Sequence, residues 1–274
     1  MQAPVFVWGL GTQKAGTSWL ARYLRRRPDV FIPFAKELHA FNYWWNPQAF
    51  QWVEWVFRKN IADFSDSDKP WLRWMAQELN ERLQMKGPED YPKFFIKRLR
   101  SHHRAYGEFT PSYILLPKSV LQQMQRLFPE SKAIVLLRDP ASRLLSAARM
   151  QSRRRHVPLA QQFEELLKSD IDLLYGRYEV TIPTVEEVFS RTKLLIMFMH
   201  EIFSDEGIGR ICEFLGIPFI RGNYHEIEHG APPDQEKPTR EMWETAISLY
   251  CDTYRWAKER FRDRIPSSWQ KIPD

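Results

Sequence analysis

The segment that most restricts the fold is Val5-Phe-Val-Trp-Gly-Leu-Gly-Thr-Gln-Lys-Ala-Gly-Thr-Ser-Trp-Leu20. Val5 to Trp8 are β-branched or aromatic with no polar break, as a parallel strand buried on both faces requires. Gly9, Gly11 and Gly16 follow at once. Glycine lets the backbone take positive φ and approach a ligand, and Thr17 and Ser18 suit the cap of a helix whose free N–H groups attract an anion. Strand, glycine turn and helix start together make a phosphate cradle. They predict an α/β domain with a central parallel sheet flanked by helices.

The cradle fits the nucleotide P-loop only in part. Gly11 and Gly16 have the G-x-x-x-x-G spacing, but Thr17 stands where the loop lysine belongs and Lys14 lies inside the loop. The usual lysine serves the β/γ-phosphates of a triphosphate held with Mg²⁺; a lysine moved into the loop suits a shorter anion that needs charge instead of a metal clamp. Lys14-Ala-Gly-Thr-Ser-Trp19 resembles the K-[SA]-G-T-[TS]-W loop of the sulfotransferases that use 3′-phosphoadenosine-5′-phosphosulfate. The resemblance implies a P-loop-like sulfotransferase fold in which Lys14, Ala15, Gly16, Thr17 and Ser18 hold the 5′-phosphosulfate and Trp19 stacks on adenine. Without that resemblance the stretch reads as a helix cap with an incidental lysine.

Residues 18–27 read as a helix with Trp19, Leu20, Tyr23 and Leu24 on one face, stopped by Pro28. Lys36-Glu-Leu-His-Ala-Phe-Asn42 then places Glu37 and His39 two apart, on one side of an extended segment. The heparan-sulfate branch of the sulfotransferases, with its bacterial relatives, carries a similar K-E-x-H-F-F. By that resemblance Glu37 is the catalytic base and His39 orients it or the acceptor, while Ala40 replaces the first aromatic of the pattern. The chemistry supports this independently, because a hydroxyl attacking sulfur must lose its proton and a nearby carboxylate can take it. A lone glutamate is otherwise a surface charge.

Residues 41–57 are crowded with aromatics that serve either as core or as the wall of an acceptor pocket for a sugar ring, a phenol or an apolar chain. Residues 71–85 and 91–100 read as amphipathic helices. Ala105-Tyr-Gly-Glu-Phe-Thr-Pro-Ser-Tyr113 resembles the family's G-E-K-T-P-x-Y segment, which lies beside the transferred group. Phe109 stands where many relatives have lysine, with Lys36 or Lys97 as the stand-in. Glu108 reads as a hydrogen-bonding residue at a strand end, and as a reserve base.

Residues 133–137 read as a second buried strand, followed by Arg138-Asp-Pro140, a turn whose proline can open a helix. Arg138 and Ser146 match the R-[DN]-P-x-x-R-x-x-S pattern, which implies that they bind the 3′-phosphate. Arginine suits that task because its planar fork meets phosphate oxygens with two hydrogen bonds. The competing role for Arg138 is an ion pair with Asp139 or Glu130, and Arg143 reads as structural. Ligands of α/β folds bind at the carboxyl ends of parallel strands, where both motifs fall.

The basic run at 149–156 reads as a solvated helix end that the donor or an acidic acceptor could meet. A third buried strand is expected at 194–199, a helix closed by Gly216 at 206–215, a lid-like polar loop at 221–238, and one final amphipathic helix at 239–262.

The chain has 274 residues and a net charge of +6. It is read as one domain spanning 1–274, favouring anionic ligands without requiring nucleic acid. Cys212 and Cys251 are too few and too isolated for a disulfide scaffold or a zinc site, and no metal is expected. The first strand starts too early for a signal peptide and no apolar run spans a bilayer, so a cytoplasmic protein is expected. The sequence thus points to a sulfotransferase acting on a hydroxyl, less readily an amine, of a small molecule, lipid or glycan. A P-loop kinase and a non-catalytic polyanion-binding module are the rival readings. Acceptor and oligomeric state stay open.

Overall fold

In the computed structural model, which describes residues 3–226 and 236–270, the first apolar run forms β1, Val5–Gly11. The other strands are β2 (Val30–Phe31), β3 (Ala105–Phe109), β4 (Lys132–Leu137) and β5 (Leu194–Phe198). All pair in parallel in the order β2-β3-β1-β4-β5. The first strand is therefore central. From β1 the chain goes to the edge strand β2, returns to β3 beside β1, then crosses to β4 and β5 on the other side, which makes the β1/β4 boundary a topological switch point.

Alternation along the strands feeds two cores. Phe6, Trp8 and Leu10 of β1 and Ala133, Val135 and Leu137 of β4 enter the larger one, while Val7, Ile134 and Leu136 enter the smaller. Both faces are covered, as a parallel sheet requires. The smaller core lies under α1 (Thr17–Arg25) and α11 (Asp205–Leu215). The larger is covered chiefly by α2 (Ala40–Trp45), α3 (Gln51–Phe64), α4 (Pro70–Gln84), α5 (Tyr91–Ile96), α6 (Lys118–Leu127), α7 (Pro140–Arg155), α8 (Leu159–Leu167), α9 (Asp170–Leu174), α10 (Tyr178–Val188), α12 (Arg240–Leu249) and α13 (Cys251–Phe261).

Two expectations change. The final helix is two, broken at Tyr250, whose buried ring turns inward and donates its hydroxyl to the Leu173 carbonyl at 3.1 Å. The helix expected at 91–100 stops at Ile96. Of the expected lid, residues 227–235 lie outside the described residues. Among the described residues no helix is long and apolar enough to cross a membrane.

Candidate active site

The loop after β1 closes on a helix start that no side chain caps. Gly16 sits at the N-cap with φ 86°, a left-handed conformation that favours glycine, so Thr17 and Ser18 fall inside α1 and do not cap it as expected. The first N–H groups of α1 are thereby left to meet an anion. The loop is pinned to the neighbouring strand, since Thr12 donates its N–H (2.8 Å) and its hydroxyl (3.2 Å) to the Leu136 carbonyl. Ala15 is fully buried and spends its N–H on the Thr12 carbonyl at 3.3 Å.

Arg138, at the end of β4, reaches across and donates to the Lys14 carbonyl at 2.9 Å. Neither rival ion pair forms. The Asp139 carboxylate caps α7 through the Ser142 N–H (2.7 Å) and accepts from the Tyr254 hydroxyl (2.8 Å), and Glu130 pairs with Lys193. Tyr178 holds the turn by donating to the Arg138 carbonyl at 2.6 Å. Arg143 is wholly buried and bonds the Asp172 carbonyl, which is a structural role.

Lys14, Gly16, Thr17, Ser18, Trp19, Glu37, Arg138 and Ser146 line one cleft of about 500 Å³. Trp19 is stacked on Tyr23 with 2° between the planes and lines both this cleft and a second cavity that residues 220–223 help to form. Arg153 and Arg154, expected as a solvated helix end, also line the cleft although they are exposed. With Ser146 and Met150 they fall at i, i+4, i+7 and i+8, one stripe of α7, and that spacing was readable in the sequence.

Cations crowd here. Burial, then Arg138, Arg154, Arg153 and Lys36, push the Lys14 ammonium down to about 8. Burial and Arg149 likewise lower Arg138. Among the described residues neither Lys14 nor Arg138 forms an ion pair with a carboxylate. The Oε1 of Gln13, also at the cleft, is buried without a partner. A polyanion with hydrogen-bonding groups fits such a surface, because it supplies the missing counter-charge. No three His, Cys, Asp or Glu side chains among the described residues converge as metal ligands.

Glu37 and His39 are not extended, as their spacing suggested. Both are left-handed, at φ 64° and 49°. They still meet, with Glu37 Oε2 3.5 Å from His39 Nε2, and Lys36 Nζ lies 2.6 Å from Glu37 Oε1. Burial raises the proton affinity of the Glu37 carboxyl, but Lys36 and His39 outweigh it and hold the group well below the usual carboxylate range. Glu37 lines the cleft; His39 is buried beneath it.

Side chains that sequence reading did not assign to the site hold this irregular segment. Glu78 accepts from the Ala35 N–H at 2.8 Å, and Arg82 donates to the carbonyls of Leu38 (2.9 Å) and His39 (3.4 Å). Glu78 and Arg82 are four apart on α4, a spacing that in sequence looks like a surface ion pair. Glu108 accepts from the Leu38 N–H (3.1 Å) and from Tyr91, Thr110 and Tyr113. It is 1% exposed and fully bonded, which supports the structural reading over the reserve base. Of the two stand-in lysines, Lys36 lines the cleft and Lys97 pairs with Glu81 at 2.6 Å.

An anion loop and an arginine turn, tied together at the switch point of a parallel sheet, define a P-loop-like α/β domain. The chain belongs to the Sulfotransferase family, whose model matches residues 4–221. Its fold is similar to that of a sulfotransferase from Alicyclobacillus acidocaldarius, at 22% identity and TM-score 0.65, over 99% of this chain and 100% of that one. The sulfotransferase domain of the Synechococcus PCC 7002 olefin synthase matches at 18% identity and TM-score 0.58, over 96% of each chain. A sulfotransferase domain from the curacin biosynthetic pathway matches at 17% identity and TM-score 0.51, over 80% of this chain and 76% of that one. A search of curated proteins gives no match.

Proposed function

We propose that this protein transfers a sulfuryl group from 3′-phosphoadenosine-5′-phosphosulfate to a hydroxyl, less readily an amine, of a small-molecule, lipid or glycan acceptor. The carrying observation is that Lys14, Arg138 and Glu37, from three distant stretches, face one cleft in a chain of the Sulfotransferase family. When bound, the donor supplies an activated sulfuryl group on a bisphosphate leaving group. Lys14 and the N–H groups at the start of α1 bind its 5′ end and stabilise charge there. Arg138 and Ser146 hold the 3′-phosphate, and Trp19 supplies an aromatic wall for adenine. Glu37 takes the acceptor's proton. Lysine, arginine and backbone donors provide the counter-charge, so no metal is part of this reading.

The domain extends over 1–274 in this proposal, supported by Met242, Ala246, Tyr250 and Tyr254, which join the larger core from beyond the matched region. A cytoplasmic location is supported by the free thiols Cys212 and Cys251. Calorimetry with 3′,5′-adenosine bisphosphate and with ATP plus Mg²⁺ tests the donor. Tighter binding of the bisphosphate is expected; preference for ATP–Mg²⁺ would favour a kinase. Lys14→Ala and Glu37→Ala should each lower kcat by ~10²-fold. Normal turnover of Glu37→Ala removes it as base. Heparin binding that survives Lys14→Ala, without any transfer, would leave only the polyanion module.

A further inference from the structure

Five cations line the donor cleft among the described residues, and the sulfotransferase reading uses three of them. Lys36 pairs with Glu37, Lys14 serves the donor's 5′ end and Arg138 its 3′-phosphate. Arg153 and Arg154 have no part in it. Both are exposed, and among the described residues neither side chain bonds to a carboxylate. The two carboxylates that line the cleft are already engaged, Glu37 with Lys36 at 2.6 Å and Glu226 with Arg26 at 2.6 Å. Arg155, next in the chain, pairs with Glu165 on α8 instead.

The helix dipole favours cations in a last turn, which accounts for three arginines closing α7. It does not account for two of them lining a cleft that already holds Lys14 and Arg138, because like charges gathered there repel one another. Arg154 and Arg153 are near enough to Lys14 to help lower its ammonium. Such an excess is unfavourable until an anion occupies it.

The position of the pair along α7 shows which anion that is. Ser146, proposed for the 3′-phosphate, and Met150 are four residues apart, about 6 Å along the helix. Met150 Sδ accepts from Lys14 Nζ at 3.5 Å, so it marks the place of the transferred group. Arg153 and Arg154 follow about 4.5–6 Å further on by the same rise. The order along the helix is 3′-phosphate, transferred group, arginine pair. The pair therefore lies beyond the sulfuryl group as seen from the bisphosphate, on the side from which an acceptor approaches.

We propose that Arg153 and Arg154 are specificity-determining residues that bind an anionic group of the acceptor, a carboxylate, phosphate or sulfate on the same molecule as the attacking hydroxyl. The inference rests on the sulfotransferase reading above and narrows the acceptor class which that reading leaves open. A guanidinium suits the task because its planar fork gives such a group two hydrogen bonds. An acceptor anchored there has its hydroxyl in the cleft that Glu37 lines. A neutral acceptor leaves the two cations uncompensated, and that penalty against the wrong molecule is a source of discrimination as real as the attraction for the right one.

The test titrates protein loaded with 3′,5′-adenosine bisphosphate with two matched pairs of hydroxyl compounds, glucuronate against glucose and 4-hydroxyphenylacetate against its uncharged amide. Loading occupies Lys14 and Arg138, so the preference for an anion that remains reports the arginine pair. In at least one pair the anion should bind about tenfold more tightly than its neutral partner. Arg153→Ala combined with Arg154→Ala should erase that preference, and Arg153→Lys combined with Arg154→Lys should keep most of it. Equal affinities within both pairs, or a preference that survives the double alanine variant, overturns the inference. Affinity for the bisphosphate itself should stay within about fivefold of wild type in the double alanine variant, the scale of an exposed ion pair. A larger loss gives the pair to the donor and overturns the inference as well. Failure of the sulfotransferase reading shows differently, as absent bisphosphate binding in the wild-type protein, and takes the acceptor assignment with it.

Discussion

Five non-glycine residues among those described have positive φ: Lys14, Glu37, His39, His156 and Arg262. Three are the residues proposed for chemistry. A left-handed backbone costs roughly 1–2 kcal/mol at a residue with a side chain and persists only where its surroundings impose it. Around Glu37 and His39 the imposing groups are the buried side chains of Glu78, Arg82 and Glu108, and at Lys14 it is the Arg138 bond to its carbonyl. The composition of these sites was legible in the sequence. Their conformation was not, because an extended segment and a left-handed one can carry the same Glu-x-His spacing.

The charge on Lys14 is expected to govern donor binding. Its ammonium sits near 8 through burial and neighbouring cations, and a bound anion favours the charged form. Affinity for 3′,5′-adenosine bisphosphate should therefore weaken as pH rises above about 8, by up to about tenfold per unit. Lys14→Arg should flatten that dependence, since a guanidinium stays charged. Calorimetry from pH 7 to 9.5 decides it, and a flat wild-type curve would free Lys14 from this role.

At the scale of elements, β1 and β3 show why Phe109 replaces a lysine without harming the fold. Gly9 pairs with Phe109 in register, and a Cβ on Gly9 would lie 2.0 Å from the Phe109 ring. The ring lies across the bare strand, 1% exposed, inside the smaller core. Gly9→Ala should destabilise the protein by about 1–3 kcal/mol through overpacking. Phe109→Ala in the same chain should return part of that loss, because the clash is with this ring. Urea unfolding of the single and double variants tests the coupling, and additive losses would refute it. Sequence reading placed residue 109 beside the transferred group by family pattern. Which way the side chain turned depended on the empty space above a glycine in a different strand.

The molecule as a whole joins these pieces at the β1/β4 boundary, and its stability should carry a signature of the Glu78 carboxyl that holds the Ala35 N–H. Burial raises the Glu78 carboxyl from 4.5 to about 7. Between these values the folded protein binds the proton that the unfolded chain has lost, so stability falls as pH rises. The contribution is full below about 4.5 and lost above about 7. Glu78→Gln should remove this slope, worth at most about 1.4 kcal/mol per pH unit. Urea unfolding at intervals from pH 4.5 to 7.5 measures it, and parallel curves for the two proteins would sink the assignment.

The sequence by itself determined the strand, glycine turn and helix start around Lys14, the second strand and turn at Arg138, and the parallel sheet. Those features follow from short-range sterics and from the period of apolar residues, both written locally in the chain. Only the tertiary structure decided that Glu37 joins Lys14 and Arg138 in one cleft, and that Glu108 is spent on backbone and tyrosine hydroxyls. Those outcomes depend on which surfaces meet across long separations in sequence, and no local pattern encodes such a meeting.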